Sequence, residues 1–244
     1  MSGIGNRFVQ AGYATIKPLI QVHHKPMIEW VVSLFPNEHD FIFICREDHL
    51  THTPLHNVLK RCAPQSKIIP IESHKYGPVY AVKQIYDQIQ DQDEMIVNYC
   101  DYFMTWDYDK FITHIQDKKP DGSVVCYTGF HPHLVHSNNV YAGCLVNQAG
   151  YMTAIKEKYS FTKDKTQSHH STGLYYFKTG AILKNSFDYL LKEKHQLNGE
   201  YYVSMAYEWM LRKKLSVTVY DDVRHFCQWG TPQDLEEYLY WNQK

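Results

Sequence analysis

The sequence has no apolar run approaching the roughly 18 residues that a membrane-crossing helix needs, and no apolar leader ahead of its first glycines. It has no excess of either charge: 25 Lys and Arg stand against 26 Asp and Glu, with no block of like charge. So even a balance offers no field for non-specific nucleic-acid binding, and any affinity for phosphate must come from local geometry. Six cysteines, at 45, 62, 100, 126, 144 and 227, include no C-x-x-C and no short pairing. That scatter predicts reduced, mostly buried thiols in a cytoplasmic protein. Repeats, low-complexity tracts and linkers are missing too, which favours one domain over residues 1–244. A chain of that length can bury a core without disulfide or metal staples.

What the chain does have is alternation. Short β-branched runs at 41–45, 67–71 and 95–99 read as buried strands. Residues 26–34 and 78–89 read as helices, each with a proline suited to the first turn. Val79, Val82, Ile85, Tyr86 and Ile89 recur at helical spacing, which marks a core-facing stripe. This βα pattern predicts an α/β fold with a mostly parallel sheet flanked by helices. The second half reads as richer in strands, at 123–128, 141–146, 152–157 and 172–177, with a hairpin turn at 147–150. Helical stretches follow at 181–194, 200–211 and 229–241. The parse is one domain of two halves, 1–120 and 121–244.

The first residues carry Gly3, Gly5 and Arg7 as G-x-G-x-R, followed by Gly12 and Lys17-Pro18. Glycines let backbone N–H groups approach phosphate oxygens closely, and a guanidinium matches phosphate bidentately. A lysine ten residues on supplies a point charge for the same oxygens. The run is not a Walker loop, because no G-K-[ST] follows, and it lacks the third glycine of the dinucleotide fingerprint. Two glycines in a flexible terminus are the plain alternative. The strand that normally launches such a loop is missing from the chain: either the start lies upstream of Met1, or the loop is anchored differently.

Together with Ala11-Gly12-Tyr13, Ile16-Lys17-Pro18-Leu19-Ile20 and Lys25-Pro26-Met27-Ile28-Glu29-Trp30, the run resembles the opening of the nucleoside-triphosphate transferases that make nucleotide sugars, the sugar-1-phosphate nucleotidyltransferases. Later landmarks follow in the same order over nearly the whole chain. The resemblance implies a Rossmann-like α/β domain with the nucleotide above the strand C-termini, so that 1–120 becomes a nucleotide-binding half and 121–244 an acceptor-binding half. Gly3, Gly5 and Arg7 would hold the triphosphate and Lys17 the α-phosphate, with Arg7 and Lys17 catalytic. Ile16 stands where relatives have proline. Glu72 stands five residues before Gly77, where relatives have a glutamine that reads the base edge above a glycine packed under the base. A carboxylate only accepts hydrogen bonds, which suits cytosine's amino group, although uracil and thymine still offer N3–H.

Asp101 ends the run 95–99, a position suited to holding Mg²⁺ beside a phosphate loop. The family places its metal aspartate in a similar setting, with glycine where Cys100 stands. Ile155-Lys156-Glu157-Lys158 resembles the family's acceptor-side E-K pair, with Gly143, Gly173 and Glu200 as further acceptor-binding positions. Phe226-Cys227-Gln228-Trp229-Gly230-Thr231-Pro232 resembles W-x-D-x-G-T-P, but Gln228 replaces the second metal aspartate. Asp107-Tyr108-Asp109 forms D-x-D, read as a helix cap rather than a metal site. His131-Pro132-His133 with His136 lacks a well-spaced third ligand for zinc; contact with an acceptor phosphate is a minor alternative.

The resemblance implies a cytoplasmic Mg²⁺-dependent nucleotidyltransferase joining an NTP, with CTP favoured, to a small phosphorylated acceptor. The acceptor would be a sugar phosphate or another precursor of a capsule or surface glycan, and pyrophosphate would leave. Departures at Glu72 and Gln228 bring the chain nearest to the cytidylyltransferases of capsule and surface-polysaccharide clusters. A homodimer is compatible with this reading, and neither nucleic acid nor membrane insertion is expected. Two alternatives stay open: a non-catalytic nucleotide-binding domain of the same fold, and a nucleotide-sugar-dependent glycosyltransferase using Asp107-Tyr108-Asp109.

Overall fold

The computed structural model describes residues 1, 3, 5–135, 137 and 139–242; Ile4 of the glycine loop and His136 of the histidine-rich loop lie outside them. The chain divides into two compact units. One comprises Met1–Lys75, Tyr99–Met104 and Phe226–Lys244, and the other Tyr76–Asn98 and Thr105–His225.

In the first unit, strands Ile42–Arg46 and Lys67–Ile71 pair in parallel, from Ile42 opposite Lys67 to Arg46 opposite Ile71. Parallel neighbours need a crossover, which helices Glu47–His52 and Leu55–Cys62 supply. Leu55, Val58 and Leu59 of the crossover pack with Leu19, Ile28, Val31, Phe43 and Cys45. A second cluster gathers Phe8, Ile20, Val22, Met27, Cys227, Trp229 and Leu235. It joins the short helix Asn6–Gln10, which follows the glycine loop, to the C-terminal helix Pro232–Trp241. Phe8 is 2% exposed, and burying such a ring contributes about 1.5–3 kcal/mol. That ring anchors the loop from downstream. The Met1 nitrogen donates to the Ile44 carbonyl at 2.6 Å.

The second unit holds a mixed six-stranded sheet. Strand Val217–Tyr220 runs parallel to Gly122–Tyr127. The remaining pairings are antiparallel: His169–Phe177 takes Gly122–Tyr127, Met95–Asn98 and Gly143–Val146, and the last of these pairs with Met152–Lys156. Gly122–Tyr127 is buried along its whole length, as a central strand covered on both faces should be. Helix Val203–Arg212 is tied to the sheet by Tyr207, whose hydroxyl donates to the Tyr176 carbonyl at 2.6 Å.

The α/β organisation and the strand-rich second half agree with the sequence reading. Three differences stand out. The expected helix 78–89 is helical only over Pro78–Lys83 and resumes as a single tight turn, Tyr86–Gln88. The expected helix 200–211 begins at Val203, because Tyr202 keeps an extended backbone as its cap. Strands Tyr102–Trp106 and Val223–Gln228 pair with each other, and neither stood out from the sequence. Among the described residues no helix is long and apolar enough to cross a membrane.

Candidate active site

Lys17 organises the first unit's polar cluster. It opens a tight helical turn, Lys17–Leu19, in which Pro18 fixes the backbone and Pro18 and Leu19 are buried. Its ammonium therefore projects from an anchored base and donates to Asp101 Oδ2 at 2.6 Å and to the Gly230 carbonyl at 2.9 Å. Asp101 sits in the turn between strands Met95–Asn98 and Tyr102–Trp106, and its carbonyl accepts from Trp229 N at 3.1 Å. Gly5 adopts a left-handed conformation, φ 69°, as it starts helix Asn6–Gln10; a Cβ there would lie 3.6 Å from Lys17 Cβ. Loop and lysine are thus neighbours. Gly3, Arg7 and Glu72 are exposed, and the guanidinium of Arg7 has no partner among the described residues.

Gln228 lies beside this cluster. A Cβ on Gly230 would be 3.6 Å from Asp101 Oδ2 and 3.9 Å from Gln228 Nε2. The amide donates through Nε2 to Asp234, which also accepts from Thr231 Oγ1 in the first turn of helix Pro232–Trp241. A carboxylate can only accept, so this bond fixes which end of the amide faces Asp234. The other end, Oε1, is buried without a hydrogen-bond partner among the described residues.

The second unit carries another cluster. Glu157 follows strand Met152–Lys156 and accepts from Ser204 Oγ. Lys158, held at φ 50°, donates to Tyr202 Oη at 2.7 Å, and Tyr202 Oη donates to Glu200 Oε2. Burial pushes the Glu157 carboxyl up to about 7; the Ser204 hydrogen bond and the Lys158 charge pull the other way, and Glu200 adds to the rise. Gly143 is required by packing, since a Cβ there would sit 2.4 Å from the Tyr159 carbonyl. Gly173 has φ 100° and lies where strand His169–Phe177 shifts register, so it serves a bulge. Gly77, φ 84°, packs on the same segment as Glu200: a Cβ would lie 2.9 Å from the Tyr201 carbonyl. Hydrogen bonds from Tyr201 N to the Tyr76 carbonyl, 2.9 Å, and from Val79 N to the Tyr201 carbonyl, 3.2 Å, stitch the two stretches together.

A model of the nucleotidyl transferase family matches residues 1–238. The chain belongs to that family. Comparison with curated protein sequences finds no match. Among solved structures, the nucleoside-diphosphate-sugar pyrophosphorylase of Vibrio cholerae RC9 is similar at 19% identity and TM-score 0.78, over 98% of each chain. The inositol-1-phosphate CTP transferase from T. maritima is similar at 14% identity and TM-score 0.73, over 98% of this chain and 90% of that one. A UDP-glucose pyrophosphorylase gives 14% and 0.73, over 100% of this chain and 97% of the other. These likenesses bear out the Rossmann-like fold expected from the sequence.

In this nucleotidyl transferase the structure brings Gly5, Lys17 and Asp101 together in the first unit, and Gly77, Glu157, Lys158 and Glu200 along one clasp in the second. Tyr202, Ser204 and Asp234 went unread in the sequence. The alternation Glu200, Tyr202, Ser204 was the available signal for the first two. Asp107 caps helix Tyr108–Lys118, accepting from Lys110 N at 3.0 Å, as its position at a helix start predicted. His131 and His133 are buried, and His133 Nε2 shares a 2.6 Å hydrogen bond with Tyr127 Oη, which makes them core groups. The thiols of Cys45, Cys62 and Cys227 are pushed up to about 11, 11 and 12 by burial, so none is an activated nucleophile.

Proposed function

We propose that the chain transfers a nucleotidyl group from an NTP, with CTP preferred, to a small phosphorylated acceptor and releases pyrophosphate. The observation that carries this reading is the Lys17 ammonium, anchored between Asp101 Oδ2 and the Gly230 carbonyl beside Gly5. A cation fixed next to a glycine loop suits the charge that grows on an α-phosphate during in-line attack. An acceptor phosphate is already an anionic nucleophile, so no strong general base is required. Positioning and charge stabilisation by Lys17 and Arg7 do the work. The exposed Arg7 guanidinium is free to take triphosphate oxygens, with Gly3 and Gly5 offering backbone N–H groups.

Mg²⁺ is the cation this reading implies. Among the described residues no three His, Cys, Asp or Glu side chains group as a metal cage. Asp101 nevertheless fits the ion, which is bound through one or two carboxylates plus substrate phosphates. The unpartnered Gln228 Oε1 is a further neutral oxygen in the same cluster. Bound there, the ion would neutralise triphosphate charge.

Glu72, exposed after strand Lys67–Ile71, would read the base, and its acceptor-only carboxylate favours cytosine. Gly77 would lie under that base. Glu157, Lys158 and Glu200, with Gly143 and Gly173, would take the acceptor: carboxylates for hydroxyl or amine hydrogens, ammonium for phosphate. A phosphorylated precursor of a capsule or surface glycan meets that description. The inositol-phosphate and glucose-linked enzymes that share the fold support a sugar or polyol phosphate. Pyrophosphate release measured with ATP, CTP, GTP, UTP and dTTP against a panel of sugar and polyol phosphates tests the reading. Release with CTP and one acceptor is expected; nucleotide binding without release from any pair refutes it.

A further inference from the structure

Two adjacent residues, Glu157 and Lys158, are gripped from one short stretch of chain. Ser204, in the first turn of helix Val203–Arg212, takes Glu157, while Tyr202, the residue capping that helix, takes Lys158. The direction of the second contact is fixed by chemistry. An ammonium only donates and a carboxylate only accepts, so the phenol must accept from Lys158 and give its own hydrogen to Glu200. The result is a directed chain from ammonium to phenol to carboxylate. The left-handed backbone of Lys158, φ 50°, fixes where its side chain begins, and the phenol fixes where it ends. One of the three ammonium hydrogens is used, which leaves two for the oxygens of a ligand.

We propose that Tyr202 is a positioning residue for the acceptor: its hydroxyl, oriented by Glu200, holds the Lys158 ammonium where the acceptor's phosphate meets it. This rests on the acceptor-side role given to Lys158 above. The acceptor so defined is a phosphate monoester whose phosphate sits on Lys158 and whose hydroxyl or amine hydrogens face Glu157. Lysine alone, with four rotatable carbons, would lose more side-chain freedom on meeting that phosphate. Tyr202 removes part of that cost beforehand.

The test is a double-mutant cycle on steady-state pyrophosphate release, with Tyr202→Phe, Lys158→Met and the pair. Tyr202→Phe keeps the ring and deletes the hydroxyl. The expected result is an acceptor KM raised about tenfold, the scale of one hydrogen bond to a charged group, with NTP KM within about twofold and the thermal midpoint unchanged. In the Lys158→Met background, Tyr202→Phe should add no more than about twofold, from the release of Glu200, because its main effect passes through Lys158. Additive effects, or equal rises in both KM values, overturn the assignment. If Tyr202→Phe loses its cooperative unfolding transition, Tyr202→His takes its place in the cycle. Its shorter ring stops short of Lys158, so an acceptor KM raised about tenfold is again expected and one within about threefold of wild type overturns the assignment. A wild-type protein that releases no pyrophosphate from any pair of substrates overturns the functional reading itself, a result distinct from wild-type turnover that Tyr202→Phe leaves unchanged.

Discussion

Replacing Glu157 by glutamine should change how stability depends on pH, in a direction set by the burial of this one carboxyl. Burial raises its proton affinity from the ordinary 4.5 to about 7, against the opposing pull of Ser204 and Lys158. The folded protein therefore holds this proton over a range where the unfolded chain has released it. Stability from this group is fully present below about 4.5 and is lost as pH rises through about 7. At about 1.4 kcal/mol per tenfold change in proton affinity, the loss is about 3 kcal/mol. Glutamine keeps the shape and an acceptor for Ser204 Oγ but never ionises, so Glu157→Gln should lack that loss. Urea unfolding of both proteins at pH 5, 6, 7 and 8 reads the difference directly. The two curves of unfolding free energy should diverge, with the variant gaining on the wild type by about 2–3 kcal/mol between pH 5 and 8, part of the loss lying below pH 5. Parallel curves would mean that the carboxyl is solvated and ionised throughout, and the account of its environment would fall. The same ionisation has a functional face. The acid form turns one oxygen into a donor and accepts more weakly than the carboxylate, so acceptor KM in the wild type should fall as pH climbs through about 7.

Lys17→Ala should lower kcat by about 10²–10³, the cost of losing one transition-state donor; near-wild-type pyrophosphate release would remove Lys17 from the chemistry. Gly77→Ala should lower stability by about 1–3 kcal/mol, read by urea unfolding, because φ 84° and the Tyr201 carbonyl 2.9 Å from the new Cβ both oppose it. Glu72→Gln should shrink the CTP-to-UTP ratio of kcat/KM by about tenfold, because an amide serves either base. An unchanged ratio would show that Glu72 does not read the base.

The strands and the site were legible to different degrees, for physical reasons. Strand Lys67–Ile71 was read to the residue because three of its five side chains, Ile68, Ile69 and Ile71, are β-branched. Val223–Gln228 was missed because Arg224 and His225 are exposed in its middle and break both the alternating and the continuous apolar pattern. Asp107 was read as a cap because capping is a local relation, settled three residues away. Lys17 and Asp101 are 84 residues apart, so no periodicity joins them, and only the order of family motifs brought them to one site. Tyr202 and Ser204 meet their partners across 44 and 47 residues. They occupy positions that the motifs leave unmarked, and although Glu200, Tyr202 and Ser204 alternate, that pattern names no partner; the folded chain supplies Lys158 and Glu157.

The backbone stitch between Tyr76–Val79 and Tyr201 has an engineering consequence. If Gly77 underlies the base and Glu200 faces the acceptor, the two specificities share one mechanical joint. A loop graft that retargets the acceptor by rebuilding 197–204 alone would pull on 76–79 and disturb nucleotide choice as a side effect. The exchangeable part is the pair of stretches moved together, so donor and acceptor preferences should travel between relatives as a block.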